Sequence, residues 1–201
     1  MASLTLAEVH RALVEHPPSR LPERLPRRAA VALVLHADGP DLLALLIQRA
    51  ERRGDPWSGQ VAFPGGRAEP GETLVETAVR ETSEEVGLDL AAGAELLGGL
   101  DEIQAVGRSR PLGLSIQPWV FGMRGVPGPL RCSEEVASAH WLRLRDLLDP
   151  AREVPYPYEF EGRTLELPSV RLEGLVVWGL TYRMLRTFAG VLSSRRPAGR
   201  P

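Results

Sequence analysis

The chain has 201 residues, of which 43% are hydrophobic and 25% charged, and its formal net charge at pH 7 is −2. These values are typical of a single globular domain with short extensions. The nearly balanced charge gives no indication of a nucleic-acid-binding or membrane-binding surface, because such surfaces are usually strongly basic. The longest apolar runs, such as residues 29–35, are far too short to span a bilayer.

The numbers and positions of the cysteine and histidine residues limit the kinds of disulfide and metal site that the chain can form. The single cysteine, Cys132, excludes an internal disulfide and a cysteine-based metal site, and it is compatible with a reducing, cytoplasmic location. The histidines lie far apart without zinc-ligand spacing, so we expect structural or surface roles for them. They are His10, His16, His36 and His140. The N-terminus lacks the basic start and apolar core of a signal peptide.

A short amphipathic helix is predicted over residues 5–15, because apolar residues recur there at helical spacing. Thr5 and Glu8 have the spacing of a capping box, and Pro17 and Pro18 end the helix. The helix is compatible with packing on the core or against a second subunit. A homodimer is therefore one of two arrangements that the sequence leaves open.

The next segment is predicted to form a β-hairpin. Residues 29–35 and 42–49 are apolar runs separated by a turn sequence, which is typical of paired strands. A Gly- and Pro-containing stretch follows, and the short strand 60–63 then leads to Gly65 and Gly66.

Residues 73–86 contain neither glycine nor proline and are predicted to form a helix of about four turns that ends at Gly87. Glu81, Glu84 and Glu85 share one side of this helix, at i, i+3 and i+4. Three carboxylates on one face repel each other unless a cation lies between them. The two interpretations are a solvated acidic face and a divalent-ion site, in which oxygen ligands favour Mg²⁺ or Mn²⁺ over zinc.

A longer pattern distinguishes these interpretations. The segment fits G-x5-E-x7-R-E-U-x-E-E-x-G-U, where U is a bulky aliphatic residue. The matching positions are Gly66, Glu72, Arg80, Glu81, Glu84, Glu85, Gly87 and Leu88. The pattern resembles the Nudix box, and we identify the chain as similar to the Nudix hydrolases. Thr82 departs from the pattern at the first U position, although its methyl group can still pack.

The resemblance implies an α/β fold, namely the Nudix-type α/β/α sandwich with a mixed β-sheet. Three parts are expected: an N-terminal helix and linker over residues 1–28, a Nudix domain over 29–192 and a disordered tail over 193–201. The family's substrates imply a small-molecule, nucleotide-derived partner rather than a nucleic acid or a membrane.

The resemblance also implies roles for the box residues. Glu81, Glu84 and Glu85 would hold the Mg²⁺ (or Mn²⁺), with the Gly66 carbonyl as a further ligand. Arg80 would form a salt bridge with Glu72 that orients these carboxylates. Such a site neutralises a diphosphate and activates a water molecule. Glu81 is one candidate for the base that accepts the proton of this water.

A second resemblance lies upstream of the box. A Nudix branch that acts on coenzyme A has a pattern close to L-L-T-x-R-S, a basic residue, then G-x3-F-P-G-G. The chain matches it at Leu45, Leu46, Arg49, Gly59, Phe63, Pro64, Gly65 and Gly66. It departs from the pattern with Ile47 in place of the threonine, one extra residue before Gly59, and DPWSGQ in place of a histidine-containing stretch.

Four residues of this upstream segment are candidates for substrate binding. Arg49, Arg52 and Arg53 carry guanidinium groups that pair well with phosphates, although a solvated basic loop is an equal alternative. Trp57 is suited either to stacking on a base or to anchoring the loop on the core.

The rest of the chain is predicted to complete the sheet. Residues 94–104 and 115–123 are interpreted as strands separated by a basic loop around Arg108 and Arg110. Glu135, beside Glu134, resembles a loop glutamate of the family and is a candidate supplementary ligand or general base.

A short helix (145–152), a strand pair (153–170) and a helix over about 173–192 are expected to follow. The last of these carries the run Trp178-Gly179-Leu180-Thr181, which also resembles the coenzyme A branch. For Trp178 itself, core packing is the expected role.

The leading hypothesis is Mg²⁺-dependent hydrolysis of a diphosphate linkage, with coenzyme A or an acyl derivative as the preferred substrate. The products would be phosphopantetheine and adenosine 3′,5′-bisphosphate. Alternatives are ADP-ribose, a dinucleotide or a nucleoside triphosphate. A non-catalytic, nucleotide-sensing module is disfavoured because every carboxylate of the box is present. Hydrolysis of capped RNA is disfavoured because the chain is slightly acidic.

Overall fold

The computed structural model describes residues 4–22, 25–55, 57–107 and 110–194. In these residues the helices are α1 (Leu6–Glu15), α2 (Leu74–Val86), α3 (Leu90–Gly93), α4 (Leu144–Leu148) and α5 (Gly179–Ser193), with a 3₁₀ turn at Pro150–Arg152. The strands are β1 (Arg27–Asp38), β2 (Asp41–Arg49), β3 (Val61–Ala62), β4 (Gly65–Arg67), β5 (Ala94–Gly99), β6 (Ile103–Gly107), β7 (Arg110–Met123), β8 (Val136–Arg143), β9 (Glu153–Phe160), β10 (Arg163–Leu172) and β11 (Leu175–Trp178).

Two sheets organise the part of the chain that the structure describes. The main sheet has eight strands, with the central order β3-β2-β1-β7-β5, and β8, β4 and β6 pair with β2, β1 and β7. Strands β1 and β7 run parallel, whereas the other pairs of this sheet are antiparallel. A smaller antiparallel sheet has the order β11-β10-β9. The predicted mixed sheet and the predicted β1–β2 hairpin are therefore confirmed.

Strand β1 separates two hydrophobic cores, because successive side chains of a strand point to opposite faces. Ala30, Ala32 and Val34 pack in the core that contains α2 and α3. Leu33 and Leu35 pack in the other core, which contains residues of α1, α4 and α5. Helices thus cover both faces of the main sheet, as the α/β/α prediction requires.

Local sequence signals explain the bounds of α2. Thr73 caps its N-terminus in a capping box with Glu76, and Gly87 adopts a left-handed conformation with φ of 69° at its C-terminus. Thr82, which departs from the aliphatic pattern, is fully buried, and its hydroxyl donates to the Ala78 carbonyl at 2.7 Å. The hydroxyl is thereby satisfied inside the core, and the methyl group is free to pack.

Helix α1 packs on the core of its own chain. Thr5 and Glu8 form the predicted capping box, and Val9 and Leu13 are buried in the same core as α5. His10 Nδ1 lies 2.9 Å from the Leu97 carbonyl of β5. Of the two arrangements left open for this helix, the structure therefore shows packing within the chain.

Several predicted elements differ from the structure. The stretch 94–104 is not one strand, because β5 ends at Gly99 and β6 begins at Ile103. Asp101 and Glu102 in the break accept hydrogen bonds from the backbone N–H groups of Ser19 and Leu21. These two acidic residues thus fix the linker that follows α1.

The stretch 173–192 is not wholly helical. Its first part forms β11, in which Val177 pairs with Val170 of β10, and α5 begins only at Gly179. Pairing with β10 therefore overrides the helical spacing of the apolar residues. Trp178, expected to pack in the core, lies at the end of β11 and stacks on Tyr156.

The remaining differences concern two segments that are only partly described. Arg110 is the first residue of β7 rather than part of a loop, and Arg108 lies outside the described residues. Residues 195–201 of the predicted disordered tail also lie outside them. None of the helices in the described residues is long and apolar enough to cross a membrane.

Candidate active site

The Glu72–Arg80 salt bridge predicted from the motif is present. The Glu72 carboxylate accepts two hydrogen bonds from the Arg80 guanidinium, with distances of 2.6 Å from Nε and 3.1 Å from Nη2. It accepts further bonds from the Thr77 hydroxyl and the Glu69 N–H, both at 2.9 Å. The bond from Arg80 is the main cause that lowers the pKa of Glu72 to about 2. Glu72 is therefore an ionised anchor for Arg80.

Arg80 connects the entry loop to the acidic face of α2. Its Nη1 lies 3.0 Å from Glu81 Oε1 and 2.9 Å from Glu84 Oε2, and its Nη2 donates to the Arg67 carbonyl at 3.1 Å. One guanidinium thus contacts three carboxylates and one backbone carbonyl. These contacts are those that an orienting residue would make, and the orienting role of Arg80 stays a prediction.

Glu85 is the buried carboxylate of the cluster. Its side chain is only 4% exposed, and it accepts a hydrogen bond from the Gly65 N–H at 2.9 Å. Arg49 Nη1 lies 4.0 Å away. Burial is the main cause that raises the pKa of Glu85 to about 7, and the nearby charges of Glu81 and Glu135 add to this effect. The Gly65 N–H and Arg49 therefore do not fully offset the cost of burying the negative charge of Glu85.

Glu81 lies directly against the backbone of β4. A Cβ atom at Gly66 would overlap the Glu81 carboxylate, so only glycine allows this close approach. Burial raises the pKa of Glu81, Arg80 opposes this effect, and Glu84 and Glu135 reinforce it. Gly66 itself is held by pairing between β4 and β1, opposite Ala30.

The end of β2 and the loop that follows it bring two arginines to the same cluster. Arg49 Nη2 donates to Asp55 Oδ2 at 2.8 Å, in addition to its contact with Glu85. Arg52 Nη1 donates to Glu135 Oε1 at 2.9 Å. Glu135 directly precedes β8, so this pair joins residues that are far apart in the sequence.

Comparisons with known proteins identify the family to which the chain belongs. A family model described as the NUDIX domain matches residues 25–160 of the chain. The chain belongs to the Nudix hydrolase family.

Curated Nudix relatives match much of the chain. The peroxisomal coenzyme A diphosphatase ndx-8 of Caenorhabditis elegans is 33% identical over 123 residues, which cover 60% of this chain and 50% of that protein. The Nudix hydrolase NudL of Yersinia pestis is 31% identical over 172 residues, which cover 83% of this chain and 80% of that protein. The chain thus spans about half the length of the nematode relative.

Solved structures show the same fold. A crystal structure of a MutT/nudix family protein from Enterococcus faecalis superposes with a TM-score of 0.55 at 20% sequence identity. The superposition covers 94% of this chain and 70% of that chain. The Nudix fold predicted from the motif is thereby confirmed.

The Nudix carboxylates have the chemistry of a divalent-ion site. All their donor atoms are oxygen, Glu85 is buried with its charge incompletely compensated, and the backbone of Gly66 lies against the Glu81 carboxylate. Oxygen ligands of this kind suit Mg²⁺ or Mn²⁺. In the described residues no three acidic, histidine or cysteine side chains converge on one point, and Arg80 contacts both Glu81 and Glu84. The predicted ligand set fits such an ion chemically, and it stays a prediction.

The predicted substrate-binding residues differ in their surroundings. Arg49 is engaged by Asp55 and Glu85, whereas Arg52 and Arg53 are exposed. Trp57 is partly buried and packs against the core that contains α1 and α5, so the structure favours the loop-anchoring interpretation of this residue. A stacking role for Trp57 stays a prediction.

Two contacts, one beside the cluster and one in the smaller sheet, are absent from the sequence-based prediction. Asp55 holds Arg49 and accepts a hydrogen bond from the Trp57 N–H, and its spacing from Arg49 matches no recognised motif. Tyr156 and Tyr158 of β9 lie against Trp178, with ring centroids 4.5 Å and 5.4 Å apart. The alternating tyrosines of β9 are a signal of a shared strand face, but their partner on β11 depends on the pairing of three strands.

Proposed function

We propose that this Nudix protein hydrolyses a diphosphate linkage in coenzyme A or an acyl-coenzyme A. The observation that carries the hydrolase part is the oriented carboxylate cluster, in which Arg80 holds Glu72, Glu81 and Glu84 beside the buried Glu85. A sensing module without catalysis has no need for a buried, incompletely neutralised carboxylate, because such a group destabilises the fold.

The preference for coenzyme A has separate support. The upstream match through Arg49, Gly59 and Phe63 resembles the coenzyme A branch, and ndx-8, a relative at 33% identity, is named a coenzyme A diphosphatase. The single cysteine, Cys132, is free, which is compatible with a reducing compartment, and we propose a cytoplasmic location.

Glu81, Glu84, Glu85 and the Gly66 carbonyl would hold the Mg²⁺ or Mn²⁺. The ion, when bound, neutralises the diphosphate and lowers the pKa of the attacking water. Arg80 would keep the carboxylates oriented, and the exposed Arg52 and Arg53 of the loop before β3 would hold the phosphate oxygens.

The reaction follows the stoichiometry of hydrolysis. The water oxygen bonds to one phosphorus while the bond from that phosphorus to the bridging oxygen breaks. A glutamate, Glu81 or Glu135, accepts the proton of the water. The two phosphate products then separate as phosphopantetheine and adenosine 3′,5′-bisphosphate.

Product analysis by mass spectrometry tests this proposal. The purified protein would be incubated with Mg²⁺ and, in parallel, with coenzyme A, acetyl-coenzyme A, ADP-ribose, NADH, diadenosine polyphosphates and nucleoside triphosphates. Selective release of phosphopantetheine is the expected result. A preference for ADP-ribose or a dinucleotide would overturn the coenzyme A assignment, and no turnover of any substrate would favour the sensing module.

A further inference from the structure

The ion pair between Arg52 and Glu135 connects the two loops that border the carboxylate cluster. Arg52 Nη1 lies 2.9 Å from Glu135 Oε1, and the two side chains are 49% and 53% exposed. An ion pair this exposed is weak, since water competes for both partners. It is therefore a contact that an incoming anion can displace.

The backbones on both sides of this pair are fixed. The Arg52 N–H donates to the Ser58 hydroxyl at 2.8 Å, and the Ala50 N–H donates to the Glu135 carbonyl at 2.8 Å. The Glu135 N–H also lies 3.3 Å from the Ser133 hydroxyl. Separation of the ion pair consequently requires rotation of two side chains and no rearrangement of either loop.

The pair also lies at the edge of the candidate active site. The loop that carries Glu135 contacts α2, because the Ser133 N–H donates to the backbone carbonyl of Glu85 at 2.9 Å. The charge of Glu135 is also among the causes that raise the pKa values of Glu81 and Glu85. Arg49 is less suited to capture an anion, because Asp55 and Glu85 already engage it and its side chain is only 24% exposed. Arg52 is thus an exposed guanidinium that the structure holds beside the cluster through its contact with Glu135.

We propose that the diphosphate of the substrate and the Glu135 carboxylate compete for Arg52, so that substrate binding releases Glu135 toward the reacting groups. This inference rests on the proposed function for the identity of the anion. The diphosphate of the substrate carries two negative charges, whereas the carboxylate carries one, and its oxygens match the fork of a guanidinium. The competition for Arg52 therefore favours the diphosphate. Before substrate binds, the ion pair with Arg52 holds the Glu135 carboxylate and offsets its charge.

A double-mutant cycle tests the competition directly. The affinity for ADP, as a simple diphosphate probe, would be measured by calorimetry at low ionic strength in the presence of EDTA. The variants are Glu135→Ala, Arg52→Ala and the double variant, with Glu134→Ala as the matched control. Glu134 is the exposed neighbour of Glu135, so its removal reports the general effect of one fewer negative charge. Thermal unfolding of each variant verifies that it is folded.

Glu135→Ala should bind ADP about two- to fivefold more tightly than the wild type, because the cost of breaking an exposed ion pair disappears. Arg52→Ala should bind ADP more weakly, and adding Glu135→Ala to it should restore no more affinity than Glu134→Ala does alone. Equal gains for Glu135→Ala and Glu134→Ala, or a full gain in the Arg52→Ala background, would overturn the proposal. Absence of ADP binding to every variant would also overturn it, because Arg52 would then not hold phosphate.

This measurement separates the exchange from the proposed function. It requires no turnover and no metal, so the coupling between Arg52 and Glu135 can be present even if coenzyme A is not hydrolysed. Conversely, the wild type could hydrolyse coenzyme A while the cycle shows no coupling between Arg52 and Glu135. That result would support the proposed function and contradict the competition for Arg52.

Discussion

Glu84 and Glu85 are adjacent in the sequence and have opposite surroundings. The Glu84 side chain is 59% exposed beside Arg80, whereas the Glu85 side chain is 4% exposed beneath the Gly65 N–H. A buried carboxylate destabilises the folded state when its partners do not compensate the lost hydration. The two residues should therefore contribute alike to catalysis and differently to stability.

Substitution by glutamine tests this difference. In EDTA, Glu85→Gln should raise the free energy of unfolding at neutral pH by roughly 1–3 kcal/mol, because the charge that burial disfavours is removed. Glu84→Gln, the matched control, should change it by less than about 0.5 kcal/mol. Urea unfolding measures both values. A loss of stability in Glu85→Gln would show that its ionised form is well compensated in the fold.

At the scale of elements, Glu72 fastens the loop before α2 to the helix itself. Its pKa is lowered from the usual 4.5 to about 2 in the folded protein, mainly by the bond from Arg80. Between these two pH values the unfolded chain binds more protons than the folded chain. The contribution of Glu72 to stability is therefore complete above about pH 4.5 and is lost as the pH falls toward about 2.

Glu72→Gln should consequently make the free energy of unfolding depend less on pH in the acidic range. The wild type should exceed the variant in free energy of unfolding at pH 7, and the difference should shrink steadily between about pH 4.5 and pH 3. Urea unfolding across this range is the measurement. Glu95→Gln, at an exposed position of β5, serves as the control for loss of one charge. A difference that is independent of pH would mean that the ionised form of Glu72 is not what stabilises the loop.

The elements that the sequence predicts best are those with local signals. Helix α2 could be delimited because residues 73–86 contain neither glycine nor proline and Gly87 follows them. Strand β11 could not, because the spacing of Val177 and Leu180 also fits a helix, and only pairing with β10 distinguishes the two. The same limit applies to the site. The Glu72–Arg80 pair follows from the motif, whereas the Arg52–Glu135 pair requires two loops to meet in space.

At the scale of the whole molecule, the two faces of the main sheet have different roles. Helix α2 and the carboxylates lie on one face, whereas α1, α4 and α5 cover the other. Leu13 of α1 is buried against Gly98 of β5. A Cβ atom added at Gly98 would lie only 2.8 Å from the Cβ atom of Leu13. The contact between α1 and the sheet should therefore support stability without shaping the chemistry.

Leu13→Ala should lower the free energy of unfolding by about 2–5 kcal/mol, because it leaves a cavity beneath α1. Its rate constant for diphosphate hydrolysis at a temperature where it is folded should match that of the wild type. Val14→Ala, at a neighbouring position that is 63% exposed, should change stability by less than about 0.5 kcal/mol. Denaturant unfolding and turnover assays measure both effects. A large loss of activity in folded Leu13→Ala would show that the two faces are coupled.

The central claim is that the α2 carboxylates support metal-dependent cleavage of a diphosphate, and one turnover experiment tests it most directly. Hydrolysis of coenzyme A would be followed by mass spectrometry for the wild type and Glu84→Gln, each with Mg²⁺ and with EDTA. The wild type should release phosphopantetheine only with Mg²⁺, and Glu84→Gln should be slower by about 10²–10³-fold while remaining folded. Equal rates for the two proteins, or undiminished hydrolysis in EDTA, would contradict the claim.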